Sequence, residues 1–288
     1  MRLCAITLNY FGADDTIACV RQLCSQAVDR VCVVDNSADP GQAARLFEAF
    51  AGDAGVRVLE TGKNTGFAAG VNYGIRRLQP DCDAVLVLNN DTIVPDGCIE
   101  ALTRGARASG LQIAGPRIQC YPAAARLWSR GSWYHPWCGL VTHRPLPGSM
   151  FYITGCCMLI QRPVFSAIGL FDERFFMYGD DVEFCVRASR AGLAAGVIDE
   201  AVLYHKTSAS ALNNSLFYEQ QVARAHLLLC RCLFEPRAVR LLSGCTKLPF
   251  LAVRAIVRSL RFGNANAVTG LINALMRRSA ETPPGVTA

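Results

Sequence analysis

Residues 85–91, Val-Leu-Val-Leu-Asn-Asn-Asp, limit the fold more than any other stretch of the chain. Four apolar residues stop abruptly at three polar ones. A fully buried parallel strand reads this way when its carboxyl end opens on a ligand. Open α/β sheets bind their ligands in the crevice beyond those ends. Asp91 is the single acid of the run, and a carboxylate there is the right type to hold a hard divalent cation against a diphosphate. The same residues also suit a plain turn, because Asn, Asp and Thr after a strand often cap the next element. Residue type alone leaves both readings open.

The pattern recurs along the amino-terminal third. Residues 3–8 read as a first buried strand, followed by Asn9-Tyr10-Phe11-Gly12. A helix capped by Asp14 or Asp15 should then run to about Gln26. A second strand, Arg30 to Val34, stops at Asp35-Asn36-Ser37, and Asp39-Pro40 opens a helix to about Phe50. Val56 to Leu59 make a third strand. Strands that end on polar residues and alternate with helices describe a βαβαβ half, which binds nucleotides at its strand ends. Asp35 stands at such an end. It suits a base N–H or a ribose hydroxyl, or else an Asx turn with Ser37.

Between the third strand and residue 85, Gly66, Gly70 and Gly74 recur every fourth residue of a helical pattern. Each costs about 1 kcal/mol against Ala in a helix, so a ligand or a neighbouring backbone must need the missing side chains. The spacing is not the Gly-x-Gly-x-x-Gly of dinucleotide folds. The absence of a glycine loop after the first strand also disfavours an oxidoreductase.

Hydrophobic content of 51% supports a sizeable core. Of the fourteen cysteines, Cys4, Cys19, Cys32, Cys156 and Cys157 fall in apolar runs, Met1 and Arg2 lead straight into a strand, and no signal peptide is expected. Cys230 and Cys232 lack a second pair at zinc spacing. Reduced, buried thiols of a cytoplasmic protein are therefore expected. No uninterrupted apolar run reaches the ~18 residues of a membrane span.

Several motifs now stand in order: Val-Asp-Asn-Ser (34–37), Asn-Thr-Gly-Phe-Ala-Ala-Gly-Val-Asn-Tyr-Gly (64–74), Leu-Asn-Asn-Asp (88–91), Thr-Gly-Cys-Cys-Met-Leu-Ile (154–160), the stretch 169–187 containing Tyr-Gly-Asp-Asp, and His205. Together they resemble family 2 glycosyltransferases of the GT-A fold, in particular the rhamnosyltransferase-like branch. The resemblance covers roughly residues 3–207. It implies an α/β protein with a Rossmann-like mixed sheet flanked by helices. Residues 1–210 would be the catalytic domain, with a nucleotide-binding half at 1–92 and an acceptor-binding half at 93–210. A helical appendage would follow at 211–280 and a disordered tail at 281–288.

The resemblance also implies residue roles. Asn9, Asp35, Asn64, Gly66, Asn89, Asn90 and Asp91 would bind a nucleotide-sugar donor. Thr154 and Gly155 would face the acceptor. Asn89 and Asp91 occupy the two acidic places of the family's Asp-x-Asp motif, so the Asn removes one charge and leaves Asp91 as the main acidic ligand. His205 would complete the site for a divalent cation, Mn²⁺ or Mg²⁺. A neutral imidazole suits Mn²⁺ better.

Asp180 and Asp181 open a helical stretch, where one acid could serve as an N-cap. Two adjacent carboxylates repel, however, and capping needs only one. In the family the second acid of this pair deprotonates the acceptor hydroxyl, which maps to Asp181, with Asp180 orienting. The donor implied is a dTDP-hexose such as dTDP-L-rhamnose, with a UDP-sugar as the alternative, and the acceptor a lipid-linked or polysaccharide glycan. A nucleotide-sugar-binding relative without turnover is the rival of another class.

Residues 117–150 fit no regular pattern. They hold all three tryptophans, among them Trp133 and Trp137, which suit either an acceptor lip or a small apolar core. After Ser208 the pattern is helical. Residues 236–280 carry eight Lys or Arg and no acid, so the whole excess of the +6 chain lies there. Arg254, Arg258 and Arg261 share one helical face and Phe250, Val253, Val257 and Leu260 another. Residues 247–262 thus suit peripheral contact with the anionic inner face of a membrane, or a helix packed on the catalytic domain. No nucleic-acid partner is expected.

Overall fold

Side chains of the central strands alternate between two apolar layers, as a sheet covered on both faces requires. In β2 (Arg30–Asp35), Val31 and Val33 enter one layer, and Cys32 and Val34 the other. In β4 (Ala84–Asn89), Leu86 and Leu88 face the first layer, and Val85 and Val87 the second. The computed structural model describes residues 1–78, 82–123, 126–206 and 214–277. The tail expected at 281–288 lies outside them.

The chain begins with β1 (Leu3–Asn9), α1 (Ala13–Cys24), β2, α2 (Pro40–Ala49), β3 (Val56–Glu60), α3 (Phe67–Arg77) and β4. It continues through β5 (Thr92–Ile93), α4 (Cys98–Ala108), β6 (Ile113–Cys120), β7 (Leu127–Ser129), β8 (Ser132–Tyr134), β9 (Val141–Thr142), β10 (Met150–Tyr152) and β11 (Cys157–Gln161). Then follow α5 (Arg162–Ile168), α6 (Asp180–Arg190), β12 (Ala195–His205), α7 (Leu216–Cys232), α8 (Arg237–Phe262) and α9 (Asn266–Leu275). The large sheet has the order β3-β2-β1-β4-β11-β6-β12-β5, with β7 on β6, and β10-β8-β9 make a small second sheet. Strands β3, β2, β1 and β4 are parallel. β11 enters antiparallel to both β4 and β6 and makes the sheet mixed. Helices α1, α2 and α4 cover one face, and α3, α5, α6 and α7 the other.

Local differences from expectation have simple causes. The stretch 117–150 is not irregular: it holds β7 to β10, whose two- and three-residue lengths are too short for a periodicity to show. Helix α1 is capped by Gly12 without a side-chain bond. Asp14 and Asp15 instead pair with Arg45 and Lys206. At α2, Asp39 does cap, accepting from Gln42 N at 2.9 Å. Cys4 and Cys82 form a disulfide, which corrects the expectation of uniformly reduced thiols. The parallel pairing of β1 with β4 brings them together with Cα atoms 5.9 Å apart across 78 residues.

The α3 glycines serve close packing. Their missing side chains make room for Leu8 over Gly70, and for Ile6 and Val34 over Gly74. At Gly66, where φ is +80°, an added Cβ would sit 2.3 Å from the Phe176 carbonyl oxygen.

The carboxy-terminal helices pack around their own small core of Ala223, Leu251, Ala255, Ala267, Leu271 and Ala274. Here the structure reverses the expected exposure of α8. Arg254 and Arg258 turn inward to Glu219 of α7, which is 1% exposed, with an Arg254 Nη1 to Oε2 distance of 2.8 Å. Lys247 is equally buried. The outward face is apolar: Val253 is 61% exposed and Leu260 77%. A basic face lying on an anionic surface is therefore not what residues 247–262 present, although Arg261 stays outside. No described helix is long and apolar enough to cross a membrane.

Removing one member of a buried ion pair leaves its partner uncompensated, at a cost of about 3 kcal/mol. Glu219→Gln should lower the unfolding free energy by about that amount in urea titrations. A change below about 0.5 kcal/mol, the size of an ordinary surface substitution, would mean that α8 is held by its apolar contacts alone.

Candidate active site

The pairing of β5 with β12 sets His205 opposite Thr92, and Lys206 N–H donates to the Asp91 carbonyl at 2.9 Å. The turn after β4 and the end of β12 thus meet. His205 Nε2 lies 3.1 Å from Asp91 Oδ1, and both residues are buried. The Trp128 ring packs on the imidazole with centroids 4.6 Å apart. The other ring nitrogen, Nδ1, is buried and has no partner among the described residues. Residues 89–91 thus form a turn whose Asp91 carboxylate meets the His205 imidazole.

These side chains fit a divalent cation. Two neighbouring octahedral ligands at about 2.1 Å from an ion stand about 3 Å apart, close to the Asp91–His205 separation. The set is sparse, for no cluster of three or more His, Cys, Asp or Glu side chains suited to an ion occurs among the described residues. Asp91 and His205 would leave the remaining positions to diphosphate oxygens and water, as sites built around substrate phosphates do.

The second half of the site is the amino terminus of α6. Its cap is Gly179, with φ +79° and no side-chain bond, so neither aspartate is the N-cap. Gly155 N–H donates to Asp181 Oδ2 at 3.1 Å, and Val182 N–H to Oδ1 at 2.8 Å. Asp180 is 3% exposed. Burial raises the pKa of both acids; the Asp181 charge raises Asp180 further, while the two N–H donors pull Asp181 back down. Of the two, Asp180 is the harder to ionise.

One cleft of about 730 Å³ collects Asn89, Asp91, His205, Thr154, Gly155, Asp180 and Asp181. The linker between β10 and β11 joins its halves, since Asn89 N–H donates to the Cys156 carbonyl at 2.9 Å. Asn9, Asp35, Asn64, Gly66 and Asn90 are not part of this lining. Asn9 Nδ2 donates to Asp35 Oδ1 at 2.8 Å, and Ser37 Oγ to Asp35 Oδ2 at 3.0 Å. Asn90 bonds Thr16 at 2.8 Å, and Asn64 Oδ1 accepts from Asn36 and from Gly66 N–H.

Trp133 and Trp137 do not line the cleft. They pack on Phe151 and Phe234 and serve local cores. Trp128 is the tryptophan that reaches it, with Tyr134 and His226, which face each other at 3.1 Å. Burial pushes His226 down to about 3, so this imidazole is neutral. Trp128 lies in the aromatic cluster visible in the sequence, whereas nothing in the helical pattern around His226 marks it.

Comparison with known proteins fits this geometry. A model of glycosyl transferase family 2 matches residues 4–169, more than half of the chain. The chain belongs to that family. It is 34% identical over 181 residues to an N-acetylglucosaminyl-diphospho-decaprenol L-rhamnosyltransferase of Mycobacterium tuberculosis, covering 52% of this chain and 59% of that one. It is 30% identical over 207 residues to a low-salt glycan biosynthesis hexosyltransferase of Haloferax volcanii, covering 67% and 64%. The chain thus spans less than two thirds of either relative. A mannosyltransferase of Pyrobaculum calidifontis, solved with GDP-mannose and Mn²⁺, superposes with a TM-score of 0.61 at 13% identity over 96% of this chain and 88% of that one. The family 2 fold is thereby the GT-A architecture that the sequence motifs implied.

The protonation of the acid pair has a thermodynamic consequence. A carboxyl whose pKa is raised by folding stabilises the fold most below its unfolded pKa, near 3.9, and that contribution is lost as pH rises through the folded value. Asp180→Asn should therefore raise the melting temperature at pH 7 and raise it less at pH 4. A gain independent of pH, or a loss at pH 7, would contradict the burial of an acidic Asp180.

Proposed function

We propose that this family 2 protein is an inverting glycosyltransferase. It moves a hexose, L-rhamnose from dTDP-L-rhamnose, to a lipid-linked or polysaccharide glycan. The observation that carries this reading is the cleft that Asp181 shares with the Asp91–His205 pair. The L-rhamnosyl transfer named for the mycobacterial relative supports the choice of sugar.

The acceptor hydroxyl would enter beside Thr154 and Gly155 and lose its proton to Asp181. The Gly155 N–H holds the carboxylate in place, and a pKa raised by burial suits a base working near neutral pH. As the acceptor oxygen bonds to the anomeric carbon, the bond to the diphosphate breaks on the opposite face. The transition state has oxocarbenium character and the configuration inverts. A divalent cation held by Asp91 and His205 would supply positive charge to the departing diphosphate. Asn89 and Asn90 would flank the donor, with Asp35, Asn9, Asn64 and Gly66 at the nucleotide. Asp35 keeps lone pairs for a base or ribose beyond those used by Asn9 and Ser37. Asp180, the harder of the two to ionise, orients Asp181.

We place the enzyme in the cytoplasm and peripheral to the inner face of the membrane. Support for attachment comes from the exposed apolar face of α8, since an amphipathic helix lies in the interface with such a face buried.

Asp181→Asn keeps shape but cannot take a proton at neutral pH. Transfer should fall about 10²–10⁴-fold while donor binding by calorimetry stays near wild type. Asp180→Asn should retain more activity. Asp91→Ala should abolish the Mn²⁺-dependent part of thermal stabilisation by dTDP. Full transfer by Asp181→Asn would place the base elsewhere, and unchanged Mn²⁺ dependence in Asp91→Ala would remove the cation from this site.

A further inference from the structure

Helix α7 has a second face with its own cavity. Tyr218, Val222 and Leu229 line the catalytic cleft, whereas Arg224, Leu228 and Arg231 line a groove of about 940 Å³ closed by α8 and α9. Ala225 and Met177 belong to both linings, so the two cavities stand wall to wall.

The groove's lining holds six arginines and no acidic residue. Arg174 is paired with Asp172, and Arg240 Nε donates to the Phe234 carbonyl at 2.6 Å. Arg224, Arg231, Arg237 and Arg277 make no ion pair with a described residue. Like charges gathered without a counter-charge repel one another, and a bound anion relieves that repulsion. Guanidinium groups are the side chains best matched to phosphate oxygens.

Apart from Gln221, the rest of the lining is largely apolar, with Leu228, Leu241, Leu248 and Leu275. Leu241 is 63% exposed, and further along α8 Phe250, Val253 and Leu260 are exposed on the adjoining side of the helix. A free anion has no use for such a floor. A simple phosphodiester headgroup such as that of phosphatidylglycerol carries a single negative charge, few for this many arginines. The position next to the cleft favours a ligand that is polyanionic, amphipathic and tied to the acceptor.

We propose that the arginine groove holds the diphosphate of a lipid-linked acceptor. Its chain lies along the apolar face of α8, and its sugar reaches past Ala225 and Met177 to Asp181. This assignment rests on the glycosyl-transfer reading for the role of the ligand, but binding itself can be measured without turnover.

The test uses the full chain and phosphatidylcholine vesicles carrying geranylgeranyl diphosphate. Vesicles carrying phosphatidylglycerol at equal surface charge are the comparison. Wild type should co-sediment more with the diphosphate vesicles than with the phosphatidylglycerol ones. Arg231→Ala/Arg237→Ala should weaken the diphosphate binding about tenfold or more. Arg104→Ala/Arg107→Ala removes the same charge from exposed positions on α4 and should leave binding unchanged.

Equal binding to both vesicles would reduce the groove to a general anionic contact and overturn the proposal. So would equal loss in the two double variants, or no loss in the first. A wild-type protein that binds the diphosphate vesicles but transfers no sugar would count against the functional reading and leave this site standing.

Discussion

Two backbone hydrogen bonds from one short linker hold the site in register. The Cys156 carbonyl accepts from Asn89 N–H at the end of β4, and Gly155 N–H donates to Asp181 at the start of α6. A sheet covered on both faces leaves its strand ends as the place for polar side chains. Asn9, Asp35, Asn89 and His205 all stand at such ends. The linker ties that polar rim to the helix carrying the two aspartates. Without it, the Asp91–His205 pair and Asp181 would belong to separate surfaces.

The same linker divides the labour of the acid pair. Two adjacent buried carboxyls cannot both ionise cheaply, and the one that receives N–H donors is the easier to ionise. Asp181 receives them from Gly155 and Val182, while Asp180 lies deeper. Opposite, His205 and Asp91 meet because β5 pairs with β12, and Trp128 closes over the imidazole. The cleft therefore has a carboxylate that accepts two N–H donors on one wall and the Asp91–His205 pair on the other, the arrangement on which the proposed transfer rests.

Much of this was legible in the sequence, because strands that end abruptly on polar residues show both the sheet and its rim. Strand ends and ordered motifs singled out Asp35, Asp91, Asp181 and His205, and the structure sets Asp35 at the end of β2 and the other three along one cleft. What escaped depends on contacts remote in sequence. The strands β7 to β10 are too short to carry a periodicity, so the sequence left open whether Trp133 and Trp137 form a lip or a small core, and they pack on Phe151 and Phe234. The pattern of α8 shows that the helix has a basic and an apolar side but not which side faces out. Glu219, buried on α7 and paired with Arg254 and Arg258, decides that and leaves the apolar side exposed. The Cys4–Cys82 bridge likewise follows from strand pairing and not from cysteine spacing.

The central claim is a single displacement, with Asp181 taking the acceptor proton on the face opposite the departing diphosphate. The anomeric configuration of the first-formed product tests it most directly. Proton NMR on product collected at low conversion should show a glycosidic linkage of configuration opposite to that in the sugar nucleotide. Retention of the donor configuration would require a different mechanism and would contradict the role given to Asp181.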